Sequence, residues 1–155
     1  MSFRISGLPA AQFAGLIGLP DAELAAHDAV RVVADRHPGF PCRVSLRDAQ
    51  PGETLLLLSY EHLAVASPYR SRYAIYVREN AEDARLQVGE VPEVLHGRLL
   101  SLRAFSGAGM LLDADVVETR QLIPAIERLL APSEVAYLHV HNAKPGCFAA
   151  RVDRA

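Results

Sequence analysis

The sequence predicts an α+β fold, a mostly antiparallel sheet of about six to seven strands with two to three helices and a closing C-terminal β-hairpin. Three observations carry this. About seven short segments rich in β-branched, aromatic or aliphatic residues are separated by Gly, Pro, Asn and Asp turn signals, against only three helical patterns. One of them, TLLLLSY at Thr54–Tyr60, is apolar on both faces, as a central strand covered on both sides must be. The C-terminal stretch EVAYLHVHNAKPGCFAARVDR, Glu134–Arg154, alternates in character on either side of a loop holding Pro145 and Gly146. At 155 residues, half of them hydrophobic, the chain is read as one domain over 1–155. A chain of this size buries roughly two-thirds of its unfolded surface and needs no disulfide framework.

Taken in order, Phe3–Ile5 reads as a short strand closed by Gly7 and Pro9. Pro9–Ile17 and Pro20–His27 read as two short helices broken at Gly18, the second starting well with Pro20 and Asp21. Val30–Ala34 is β-branched and predicts a strand, which HPGFP at His37–Pro41 must end. Arg43–Leu46 predicts a short strand, ended by the DAQPGE turn at Asp48–Glu53. After the central strand, SPYR at Ser67–Arg70 is a loop and Tyr73–Arg78 a strand. Asn80–Arg85 is a charged surface turn, and Pro92–His96 one helical turn. Leu99–Phe105 and Met110–Val117 are two strands around the SGAG turn. Leu122–Leu130 is the clearest helix, with Leu122, Ile123, Ile126, Leu129 and Leu130 on one stripe and Pro124 tolerated in its first turn.

Composition narrows the function classes. The formal net charge is −2 and the sequence pI about 6.3, which argues against a nucleic-acid binder, since such a protein carries a basic excess. The SPYR segment with Arg72 and Tyr73 has aromatic and basic character but no basic domain around it. No apolar run is long enough to span a bilayer and the N-terminus lacks the pattern of a signal peptide, so a cytoplasmic protein without membrane contact and with reduced thiols is expected. GLIGLP and SGAGM fit neither dinucleotide nor P-loop spacing, and there is no G-x-S-x-G elbow.

The chemistry concentrates in the hairpin and in the Cys42–Arg43 turn. Alternation places Tyr137, His139 and His141 on one strand face and Ala136, Leu138 and Val140 on the other. If His141 pairs with Cys147, both histidines, Tyr137, Cys147 and Arg151 cluster; a slip by one residue sets the histidines against Phe148 and Ala150 instead. The clustered register is favoured because it leaves one wholly apolar face. Three uses compete. Arg43, Arg103 and Arg151, each in an otherwise apolar segment, present planar forks to a small anionic ligand, with Tyr137 beside them. His139 or His141 then serves as proton donor or acceptor and Cys147 completes the catalytic candidates. Alternatively His139 and His141 bind a metal with Cys42 and Cys147 as sulfur ligands. The third use is thiol chemistry at Cys42 beside Arg43, or at Cys147 beside the histidines. A structural or partner-binding protein without catalysis is the remaining reading. The lone histidines His27, His62 and His96 are expected in solvent.

The segments PGFPCRVSL (Pro38–Leu46), SPYR, RLLSLRAF (Arg98–Phe105) and HVHNAKPGCFAARV (His139–Val152) together resemble a family of short bacterial proteins catalogued as a domain of unknown function and numbered 1203. The resemblance runs over essentially the full length, and HVHNA and GCFAAR are its most specific pieces. It implies a stand-alone bacterial protein. It implies no activity, and carries over no functional residue, cofactor or oligomeric state.

Overall fold

The computed structural model describes residues 1–155. Eight strands form two antiparallel sheets, where one sheet was expected. In chain order the elements are β1 (Phe3–Ser6), α1 (Asp21–Ala26), β2 (Ala29–Val33), β3 (Thr54–Leu63), β4 (Ser71–Arg78), β5 (Leu99–Phe105), β6 (Leu111–Glu118), α2 (Leu122–Leu130), β7 (Tyr137–Asn142) and β8 (Phe148–Arg154). The five-stranded sheet has the order β1-β8-β7-β5-β6, and the three-stranded sheet the order β2-β3-β4.

The split follows from the TLLLLSY strand. It is central as expected, but its two faces feed separate cores. Leu56 and Leu58 pack with Phe13, Leu24, Ile75 and Val77, whereas Leu55 packs with Ala34, Phe40 and Ala49. A strand buried on both sides within its own meander needs no hydrogen-bonded edge to the larger sheet. The main core lies on one face of the five-stranded sheet. There Leu100, Leu102, Leu138, Val140 and Val152 meet α2, which buries Leu122, Ala125, Ile126, Leu129 and Leu130. Ile123, expected on that stripe, is exposed, and Ala125 takes its place.

Two expected elements do not form. Pro9–Ile17 is a single 3-10 turn at Ala10–Gln12 followed by turns, with no α-helix. Glycines at 15 and 18, the latter at φ +81°, remove the propensity a short helix needs. Arg43–Leu46 is a tight turn in which the Leu46 N–H donates to the Cys42 carbonyl and Leu46 sits at φ +56°. This turn places Cys42, Arg43, Val44 and Leu46 all inside, where an alternating strand would expose every other residue. No helix is long and apolar enough to cross a membrane.

Candidate functional site

β7 is the middle strand of the larger sheet, and all six of its residues are buried. Leu138 and Val140 face the main core. The opposite face carries Tyr137, His139 and His141, paired with Phe105, Arg103 and Ser101 of β5. On the other side His139 pairs with Arg151 and Val140 with Ala150, but His141 pairs with Phe148. One extra residue on β8, a β-bulge, accounts for the shift. The favoured His141–Cys147 pairing does not form: His141 takes the slipped pairing with Phe148, whereas the bulge sets His139 opposite Arg151, which neither expected register gives. Arg151 shares the histidine face, Phe148 packs against both histidine rings, and Cys147 is turned toward Asn142.

A third histidine joins the pair. β3 continues three residues beyond the expected strand, with a bulge between Tyr60 and Leu63. Its end packs Leu63 onto Phe105 and Tyr137 and sets His62 against the larger sheet. The His62 ring lies edge-on to His141 at 4.9 Å between centroids and stacks on Phe148 at 5.8 Å and 10°. One ring nitrogen from each of His62, His139 and His141 falls within 4.8 Å of the others. The expectation that His62 is solvated is thereby corrected. The sequence held a signal for it: Leu56, Leu58, Tyr60 and His62 fall on one face if the strand is not stopped at Tyr60.

Burial governs the electrostatics of this cluster. Desolvation holds His139 and His141 down at about 3 and His62 down at about 4, with the nearby Arg103 guanidinium adding to each. All three imidazoles are neutral at neutral pH. His141 Nδ1 lies 3.0 Å from the Gly146 carbonyl, which fixes Nδ1 as the protonated nitrogen and leaves Nε2 as a bare acceptor. Gly146 reaches that position at φ +83°, in a turn closed by its N–H donating to the Asn142 carbonyl. His62 Nδ1, His139 Nδ1 and His141 Nε2 are buried without a hydrogen-bond partner.

The arginines separate into two environments. Arg103 lies half-buried on the histidine face, its Nε 3.3 Å from Ser101 Oγ, and desolvation lowers its pKa. Arg151 is already engaged: it forks onto Asp153 at 2.8–3.1 Å and lies 4.0 Å over the Tyr137 ring. Burial pushes the Tyr137 hydroxyl up, partly offset by Arg151. Arg43 is elsewhere. Its guanidinium is 2% exposed and donates to the Phe148 carbonyl (2.7 Å), the Pro41 carbonyl (2.5 Å) and Cys147 Sγ (2.9 Å). None of the three partners is a carboxylate, and desolvation lowers the Arg43 pKa.

Arg43 and Cys147 line a cavity of about 470 Å³ beside the β7–β8 turn, together with Asn142, Lys144 and Arg98. Arg98 is neutralised by a bidentate bond to buried Asp48 at 2.6 and 3.0 Å. The remaining wall includes Leu57, Tyr73, Tyr76 and Leu99. Asn142 is 6% exposed; its Nδ2 lies 3.5 Å from Cys147 Sγ and its Oδ1 has no partner. Neither Arg103 nor Arg151 lines this cavity, so the three arginines expected to act together do not share one pocket. Cys42 is fully buried and its Sγ accepts from the Arg78 backbone N–H at 3.3 Å. Neither free cysteine belongs to the histidine group, which corrects the mixed sulfur and nitrogen ligand set.

Fold and site together define an α+β protein of two antiparallel sheets, with a buried three-histidine cluster between them and a cation-lined cavity beside the C-terminal hairpin. The chain belongs to the family described as Protein of unknown function (DUF1203), whose model matches residues 39–154. The match leaves residues 1–38 outside and contains every residue of the cluster and the cavity. No curated protein and no solved structure matches the chain significantly.

Proposed function

We propose that the protein binds a small anionic molecule, with a carboxylate or phosphate group, in the cavity between the Arg43 turn and the β7–β8 turn. The observation that carries this reading is the charge of the wall. Three cationic residues, Arg43, Arg98 and Lys144, line the cavity and no Asp or Glu does. Asp48 cancels Arg98, which leaves Arg43 and Lys144 uncompensated. A buried guanidinium bonded only to two carbonyls and a sulfur keeps its full positive charge at the cavity floor. An anion entering a partly desolvated site meets that charge at low effective dielectric, where it counts for more than in water. The volume falls within the range of small-molecule sites.

The roles divide accordingly. Arg43 is fixed by its three bonds and uses three of its five N–H donors, so it supplies field and at most two further bonds. Lys144, exposed on the turn, is free to close over the anion as a mobile point charge. Tyr73, Tyr76 and Leu57 offer an apolar wall for the carbon skeleton. Cys147, 8% exposed, places a sulfur at the same wall. The test is a thermal-shift and calorimetric screen of inorganic phosphate, phosphate monoesters and short mono- and dicarboxylates. A ligand that raises Tm is expected, with Lys144→Ala weakening it roughly tenfold, the loss of one charge-assisted contact. If none of these anions at about 10 mM stabilises the protein, the reading fails.

A further inference from the structure

We infer that His62, His139 and His141 form a binding site for a zinc-class divalent ion, separate from the cation-lined cavity and independent of what that cavity binds. Three features of the chain converge on it. The first is placement: three ring nitrogens, from two different sheets, lie within 4.8 Å of one another. A point equidistant from three atoms at that largest spacing is about 2.8 Å from each, so inward movement of about 0.7 Å per ring reaches zinc–imidazole bond length. The second is the set of buried nitrogens without partners, one on each histidine. Uncharged buried imidazoles in a packing role normally find a donor or acceptor, since the alternative is an unmet acceptor away from water. The third is the Gly146 carbonyl on His141 Nδ1. A backbone carbonyl on the far nitrogen is the usual way a metal-ligating histidine is held in its tautomer and aimed.

The donor set selects the ion. Three neutral imidazoles without carboxylate or thiolate suit zinc, copper, nickel or cobalt, and give nothing to the hard ions calcium and magnesium. Three protein ligands leave a fourth tetrahedral position. Arg103, on the same sheet face and held only by Ser101 Oγ, repels a bare dication and favours an anion at that position. The filled site is therefore a dication carrying hydroxide or another small anion, with Phe105 and Phe148 excluding bulk water around it.

The experiment uses full-length protein freed of metal by chelator and desalted. Cobalt(II) is titrated in, and the visible ligand-field bands report coordination; zinc(II) is then added to displace it. One cobalt per chain with bands of tetrahedral intensity, removed by one equivalent of zinc, is the expected result. His62→Phe keeps the stacked ring on Phe148 while removing the nitrogen, and is expected to weaken cobalt binding at least a hundredfold with the fold intact. His27→Ala and His96→Ala are expected to change nothing. Absence of cobalt and zinc binding by the wild-type chain up to about 1 mM, far weaker than structural or catalytic zinc sites, overturns the proposal and leaves the cluster as stacked imidazoles. Equal affinity in wild type and His62→Phe overturns it too. Should His139→Phe fail to fold, the less deeply buried His62 position still decides.

Discussion

Arg43 is the residue through which the fold and the proposed cavity are most directly coupled, and its replacement has a calculable cost. The side chain joins the 41–43 turn to the start of β8, 105 positions later in sequence, by three bonds to Phe148 O, Pro41 O and Cys147 Sγ. Arg43→Ala removes two buried methylenes beyond Cβ, about 0.8 kcal/mol each, or about 1.6 kcal/mol in all. It also strips donors from two buried carbonyls, at about 1–3 kcal/mol apiece where no water replaces them. The adjoining cavity admits water, so the low end applies, and the total is about 4 kcal/mol. Against this stands relief from burying a guanidinium without a carboxylate, which is why Arg43→Met, with similar volume and no charge, should cost only about 2 kcal/mol. Urea denaturation followed by far-ultraviolet circular dichroism measures both, as shifts in midpoint at unchanged slope. Alanine within 1 kcal/mol of wild type would refute the assignment of Arg43 as a clasp. Methionine more stable than wild type would show that the charge is held for binding at the expense of stability.

Two further outcomes follow from the site geometry. Burial holds His139 and His141 at about 3 against an ordinary 6.5, so the unfolded chain takes up protons below pH 6.5 that the folded metal-free protein refuses. Stability is therefore complete above pH 6.5 and falls as pH drops through it, by roughly 2.7 kcal/mol per pH unit for these two histidines together; urea midpoints of chelator-treated protein at pH 7.5, 6 and 5 check this, and a flat profile contradicts it. Gly146 sits at φ +83° with open space where a Cβ would stand, so Gly146→Ala should cost about 1–2 kcal/mol through backbone strain alone. A loss below 0.5 kcal/mol in the same denaturation assay would mean that the turn tolerates a side chain.

How far the sequence anticipates this arrangement depends on whether a signal is local. The strands around SGAG, the strand at Tyr73–Arg78 and the α2 stripe are legible because their periodicity and turn residues lie within ten positions of each other. The division into two sheets is not legible, since TLLLLSY looks the same whether its two faces serve one core or two. The tight turn at Arg43 hides for a related reason: RVSL after Cys42 reads as a strand, and only the left-handed Leu46 shows that the chain folds back. In the site, the histidine pair and its face were readable from alternation. The one-residue bulge that puts Phe148 opposite His141 and moves Cys147 onto Arg43 leaves no trace in alternation. His62 was masked by Glu61 before it, which made the end of β3 look like a polar loop.

The composition of β7 argues that the histidine face is there for a ligand and not for packing. A central strand buried on both sides is ordinarily Val, Ile or Leu, and β7 keeps that rule on its core-facing side with Leu138 and Val140. On the other side it carries His139 and His141, each 4% exposed or less, and His62 arrives opposite them from a different sheet. Each leaves one nitrogen unmet, at about 1–3 kcal/mol per group in a protein whose total stability is of order 10 kcal/mol. Leucine or phenylalanine at these positions would fill the same space against Phe105 and Phe148 without that penalty. Scattered, three such costs would be accidents of packing. Gathered on three rings that each bring a nitrogen within 4.8 Å of the others, with a backbone carbonyl setting the tautomer of one ring and an uncompensated arginine beside them, they describe a cation site that favours an accompanying anion.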